Sequence, residues 1–119
     1  MSIAAGKLRH RVTIQNYAYI GQDPVTGAEQ REWLTFHECW AAIEPLSARE
    51  FIAAQANQSK VTARIIVRYV DGLDSSMRIL HTVRGKQKTY NIEGVLADMD
   101  SGLEYLTLPV SEGVSIDGQ

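Results

Sequence analysis

A chain of 119 residues, 45% apolar and 22% charged, suits one globular domain that buries its own core. A net charge of −2 excludes a polycation that grips nucleic acid through bulk attraction, and a single cysteine, Cys39, excludes an internal disulfide or a cysteine-rich metal site. No leader with a basic start and an apolar stretch is seen, nor an apolar run of the ~20 residues that cross a bilayer, so no membrane is expected and folding is placed in a reducing cytoplasm.

The first element is "GKLRHRVTIQ", residues 6–15. Leu8, His10, Val12 and Ile14 share one parity, and Arg9, Arg11, Thr13 and Gln15 share the other. Successive strand side chains point to opposite faces, so this reads as a half-buried strand with its arginines outward. "YAYIGQDPVTGAEQR", residues 17–31, follows as a hairpin tip or an extended loop, because Asp23, Pro24 and Gly27 are turn formers. Strands are predicted over Glu32–Phe36 and Cys39–Glu44, and Pro45 stops the ladder. Trp33, Trp40, Phe51 and Tyr69 are expected in the core.

Leu46–Asn57 is the one helix candidate. Ser47 and Glu50 have capping-box spacing, and Leu46 and Phe51 occupy the two positions of a hydrophobic staple. So short a helix is marginal alone and is expected to pack on the rest. The period then returns to two. "KVTARIIVRYV" sets Val61, Ala63, Ile65, Val67 and Tyr69 against Thr62, Arg64, Ile66, Arg68 and Val70. "MRILHTVR" alternates likewise, "GKQK" reads as a tight turn, and "TYNIEGVLAD" is a strand that Gly94 lets bulge or bend. "LEYLTLPV" is the last strand. The fold class is mainly β: a small antiparallel β-barrel or sandwich with one short inserted α-helix. Residues 1–110 form the single domain, and 111–119 are expected to be a flexible acidic tail.

Chemistry is sparse. His10, His37 and His81 lack metal-ligand spacing, and a His37–Cys39 pair supplies two ligands where zinc needs three or four. No nucleophile elbow, phosphate cradle or dinucleotide turn is present. No enzyme activity, catalytic residue, metal or cofactor is expected. Charge is unevenly placed instead. All twelve Lys and Arg lie at or before Lys88, and residues 89–119 hold six acids and no base. Arg9 and Arg11, Arg64 and Arg68, and Arg78 and Arg84 fall in pairs on shared strand faces. Arginine suits bidentate contact with carboxylate or phosphate. The face admits three readings: a solvated surface, a subunit interface that meets a neighbour's acidic end, or a DNA contact. Aromatics do not interleave with these arginines in sequence, which counts against base stacking.

The ordered set "LRHRVTI", "W-A-x-I-x-P-L-S-x-R-E", "R-Y-x-x-G-L", "M-R-I" and "Y-N-I-E-G-V" resembles the phage head–tail joining proteins, also called head closure or stopper proteins, over residues 6–110. The resemblance implies a β-barrel connector in the virion, assembled in the bacterial host cytoplasm. It implies a ring on the order of six or twelve copies beneath the portal or adaptor ring, retaining packaged DNA and docking the tail. Arg9, Arg11, Arg49, Glu50, Arg64 and Arg68 are the candidate interface residues, with helix capping and solvation as the plain explanation for Arg49 and Glu50. The residues around Leu46–Lys60 are the candidate lumen element. The alternative is a nucleic-acid-binding small β-barrel, whose affinity would fall steeply with salt.

Overall fold

The computed structural model describes residues 8–97 and 104–112. Among these, seven strands and one helix run in the order β1 (His10–Gln22), β2 (Glu29–Pro45), α1 (Ala48–Ala56), β3 (Ala63–Arg68), β4 (Arg78–Val83), β5 (Lys86–Ile92), β6 (Leu96–Ala97) and β7 (Tyr105–Glu112). The spatial order is β3-β2-β1-β4-β5-β7-β6, and an added β3–β7 ladder closes the sheet into an uneven ring. All pairings are antiparallel. Closure satisfies ladder groups that an open sheet would leave at two edges.

Alternation decides what lies inside. Val12 and Ile14 of β1, Ile65 and Val67 of β3, Ile79 of β4, Ile92 of β5, and Leu108 and Val110 of β7 are almost fully buried. They form one cluster with Ala41, Ala63, Met77, Tyr90 and Leu106. Each of the large aliphatic side chains contributes roughly 1.5–3 kcal/mol through burial. In a second, smaller cluster, Ala42, Tyr105 and the partly buried Ile66 have the opposite parity to the core residues of their strands, and Leu8, just before β1, packs with them. It therefore lies on the outer face of the sheet.

Of the two readings of residues 17–31, the hairpin tip holds and the extended loop does not, since most of the stretch is strand. β1 and β2 form a long hairpin whose rungs continue from Asn16↔Leu34 to Gln22↔Glu29. Only its tip turns. Gly27, at φ +76°, donates to the Asp23 carbonyl at 2.8 Å, and the Asp23 carboxylate accepts from the Val25 N–H at 2.8 Å. The two strands predicted across residues 32–44 are one 17-residue strand, because β1 offers an unbroken ladder to pair with. β4 pairs with β1 only as far as Gln15↔Arg78, so the distal rungs have no third strand. The distal hairpin stands out from the barrel as an arm, consistent with a long axis of 53 Å against 32 and 30 Å.

α1 begins as predicted. Ser47 Oγ accepts from the Glu50 N–H at 3.2 Å, and Glu50 Oε1 accepts from the Ser47 N–H at 2.9 Å. The expectation that the helix packs on the rest is overturned: no helical residue is buried, and Phe51 and Ile52 are exposed. A tether to β3 holds it instead, with Arg64 Nη1 donating to Glu50 Oε2 at 2.8 Å.

The β4–β5 turn is Arg84-Gly85, with φ of 53° and 79°, one residue earlier and shorter than "GKQK" implied. Positive φ at both positions is the hairpin geometry that matches sheet twist. The bend at Gly94 occurs. β5 covers residues 110–112 of β7, and after the bend β6 covers residues 106 and 107. β7 runs through Ser111 and Glu112, two residues beyond its expected end, and Ser111 Oγ donates to Glu93 Oε2 at 2.6 Å. The remainder of the expected tail, residues 113–119, lies outside the described residues.

Candidate functional site

The six candidate interface residues fall into two groups. Arg9 and Arg11 are exposed, as the alternation of β1 requires. Arg11 pairs across the sheet with Trp40 of β2, and its guanidinium lies 5.5 Å from that ring. β2 and β3 pair through Ala41↔Val67, so the next rung sets Trp40 beside Arg68. Arg68 in turn pairs with Tyr105 of β7, its guanidinium 5.6 Å from the ring. The outer face thus carries a row of arginine, aromatic, arginine, aromatic across four strands. A cleft of about 450 Å³ opens elsewhere, at the barrel mouth, but the row borders its own cleft of about 300 Å³ lined by Leu8, Arg11, His37, Cys39, Trp40, Arg68 and Tyr69.

This row corrects two readings of the sequence. Arginines and aromatics do interleave, across strands rather than along the chain. Trp40 and Tyr69 are not core: they are 52% and 47% exposed. Phe51 is exposed as well, and Trp33 is only half-buried. The signal was available for Trp40. Once Cys39, Ala41 and Ile43 are turned inward, period two turns Trp40 outward.

Arg64, Glu50 and Arg49 form the second group. Arg64 bridges Glu50 at 2.8 Å and Glu44 at 3.7 Å. Its hydrogen bond, joined by those from Ser47, holds the Glu50 carboxyl down to about 2. Two of the predicted contact residues are therefore occupied within the chain, where they fix the base of α1. Arg49 is exposed on the helix. The arginines do not form a single band. Arg78 lies over Trp33 at 4.1 Å and donates to Gln15 Oε1 at 2.9 Å, which locks the base of the arm. Arg84 occupies the β4–β5 turn.

His10 and His81 meet edge to face with ring centroids 5.0 Å apart at the barrel mouth. Burial, then the charges of His10 and Lys88, push the His81 imidazole below its ordinary value. Cys39 is half-buried in β2, and burial pushes its thiol up, away from the reactive thiolate form. Among the described residues, no group of three or more His, Cys, Asp or Glu is placed to hold a metal ion. No described helix is long and apolar enough to cross a membrane.

A closed barrel with a projecting arm, a basic-aromatic outer face and a tethered exposed helix presents its charged and aromatic side chains as contact surface, the profile of a structural protein. The comparisons agree. Residues 3–113 match the family model of the phage head completion proteins, and the chain belongs to that family. It is a structural protein of the phage head–tail region and a virion component. It is 30% identical over 96 residues to head completion protein gp16 of Bacillus phage SPP1, across 81% of this chain and 82% of that one. The solution structure of protein SF1141 from Shigella flexneri 2a superposes with a TM-score of 0.74 at 29% identity, covering 95% of this chain and 99% of the other. A chain of a native gene transfer agent virion shares the fold at TM-score 0.50 and 16% identity, over 90% and 96% of the two chains.

Proposed function

We propose that this protein closes the DNA-filled head as a ring below the portal or adaptor and offers the docking surface for the tail. Membership of the head completion family supports the location. The observation that carries the contact chemistry is the arginine–aromatic row over Arg11, Trp40, Arg68 and Tyr105. Such a row holds planar cations against a half-exposed Trp40 ring and a buried Tyr105 ring, and arginine with tryptophan or tyrosine is the composition of interface anchors. Arg9, Arg11 and Arg68 are the residues that meet a neighbouring subunit or the portal side. A ring requires a heterologous contact between two complementary patches of each subunit, and the arginine face is the basic one in this reading.

In this reading on the order of six or twelve copies surround the packaged DNA. The residues 46–60, which carry α1, face the channel, and the Arg64–Glu50 tether sets where that segment leaves the barrel. Arg49 is a contact on that segment. Assembly takes place in the bacterial host cytoplasm. The arginine–aromatic row also favours a second reading, a nucleic-acid-binding barrel, since aromatic and guanidinium planes stack on bases.

An early stop codon in this gene, in the phage or prophage that encodes it, separates the two. Electron microscopy of the lysate should show separate heads and finished tails, with DNA lost from the heads. Intact infectious particles would overturn the connector reading and turn attention to salt-dependent DNA binding.

A further inference from the structure

The tip of the arm is the most exposed apolar point among the described residues. Val25 is 90% exposed, against 37–66% for the other exposed large apolar side chains. The turn that presents it is closed by its own hydrogen bonds. The Asp23 N–H donates to the Ala28 carbonyl and the Gly27 N–H to the Asp23 carbonyl, each at 2.8 Å. The Asp23 carboxylate accepts from the Val25 N–H, and the Ala28 N–H donates to Thr26 Oγ1 at 3.2 Å. A knob held this firmly has little conformational entropy left to lose on binding. Charge adds to it: over residues 16–34 the arm holds Asp23, Glu29 and Glu32 against Arg31 alone.

The arginine–aromatic row is the complement. Its cleft of about 300 Å³ sets Arg11 and Arg68 around the apolar Leu8, Trp40, Tyr69 and Val70. Trp40 and Tyr69 are about half exposed. Arg11 meets Glu38 at 3.7 Å, and among the described residues Arg9 and Arg68 meet no carboxylate. The tip does not reach the cleft of its own chain. Along the hairpin, the cleft residue nearest the tip is His37, the partner of Ile14. From Gln22 back to Ile14 the ladder runs eight residues, roughly 27 Å at about 3.4 Å each. A tip that fills such a cleft therefore comes from a second copy.

We propose that, in the ring of the connector reading on which this contact rests, the arm tip of one copy seats in the arginine–aromatic cleft of the next. Val25 packs against Trp40 and Tyr69, and Asp23 and Glu29 face Arg9, Arg11 and Arg68. Knob and cleft lie at different places on the chain, so the contact is heterologous and passes from copy to copy, as a ring needs. An apolar anchor in a pocket bordered by arginine and tryptophan is the arrangement of an interface hot spot.

The test is photo-cross-linking in phage particles. A benzoylphenylalanine probe replaces the exposed Ala28 beside the tip or, in a second strain, Val25, in full-length protein that complements a stop-codon phage. Irradiated particles should yield bands of two and of three chains of this protein, with the probe joined to the peptide that holds Trp40 or Tyr69. A Val25→Asp variant should keep the wild-type urea midpoint, as so exposed a position allows, and lose plaques steeply. Four results would overturn the contact and leave the connector reading standing: bands that stop at two chains, a probe joined to another virion protein or to DNA, no cross-link in particles that carry the protein, or wild-type plaques from Val25→Asp. Infectious particles that lack the protein would overturn the connector reading, and the contact with it.

Discussion

The proximal and distal halves of the β1–β2 hairpin are built from the same two strands and are buried to opposite degrees. Near the barrel, Val12 and Ile14 pair with β2 on one side and β4 on the other, and both are almost fully buried. Beyond Gln15, which still pairs with Arg78 of β4, the strands pair only with each other. There Tyr17, Tyr19 and Ile20 are about half exposed, and Leu34 is 41% exposed. Tyr17 and Trp33 keep ring contact at 5.1 Å, which stiffens the arm without burying it. Burial on both edges makes core, and an apolar arm lacking a third strand leaves apolar surface exposed. Core and exposed apolar surface are therefore separated by position along one hairpin.

The largest effect is expected in the barrel. Ile79→Ala removes a fully buried side chain that packs between β1 and β5 and should cost about 2–5 kcal/mol in urea unfolding. A loss below about 1 kcal/mol would show that closure, not packing, holds the ring. Helix capping comes next. Ser47→Ala deletes one hydroxyl bond of the capping box and should cost about 1 kcal/mol at most, with helical circular dichroism reduced. A change as large as that of Ile79→Ala would mean that α1 supports the barrel after all. Ile20→Ser on the arm should shift stability by no more than about 0.5 kcal/mol, and a larger loss would show that the arm belongs to the folding core.

Acid distinguishes the same regions. His81 is neutral and buried in the fold, with a value below that of the unfolded chain. The unfolded state binds its proton first, so stability should fall as pH drops below about 6.5 and level off beneath the lowered folded value. Glu50 has the depressed carboxylate case. Its contribution is complete above its ordinary 4.5 and is lost as pH falls toward about 2. A urea series from pH 7 to 3 on wild type and His81→Phe checks the first step. An unchanged slope between pH 6.5 and 5 in the variant would remove His81 as its cause.

Much of this was legible in the sequence, for physical reasons that differ by element. Period-two alternation set the inward faces of β1, β3 and β4 correctly, because a side chain's face follows from its parity alone. The capping box was read to the residue, since its partners are three positions apart. What escaped depends on which strands become neighbours. The Arg11–Trp40–Arg68–Tyr105 row joins residues from four strands and has no local signature. Aromatic bulk at Trp40 suggests core, although its parity in β2 is outward. Asp23, Pro24 and Gly27 mark the arm's tip and leave a hairpin tip and an extended loop both open, while nothing in Tyr17–Ile20 says how far the strands run. The length of a strand beyond its sheet is set by its partner.

The most direct test of the account is complementation of a stop-codon phage with a Trp40→Ala/Arg68→Glu variant, made beside its purified protein. The account predicts a folded protein with near wild-type urea midpoint, together with heads that fail to join tails and a steep loss of plaques. Wild-type plaque numbers from that variant would show that the arginine–aromatic row is not the surface on which head completion depends.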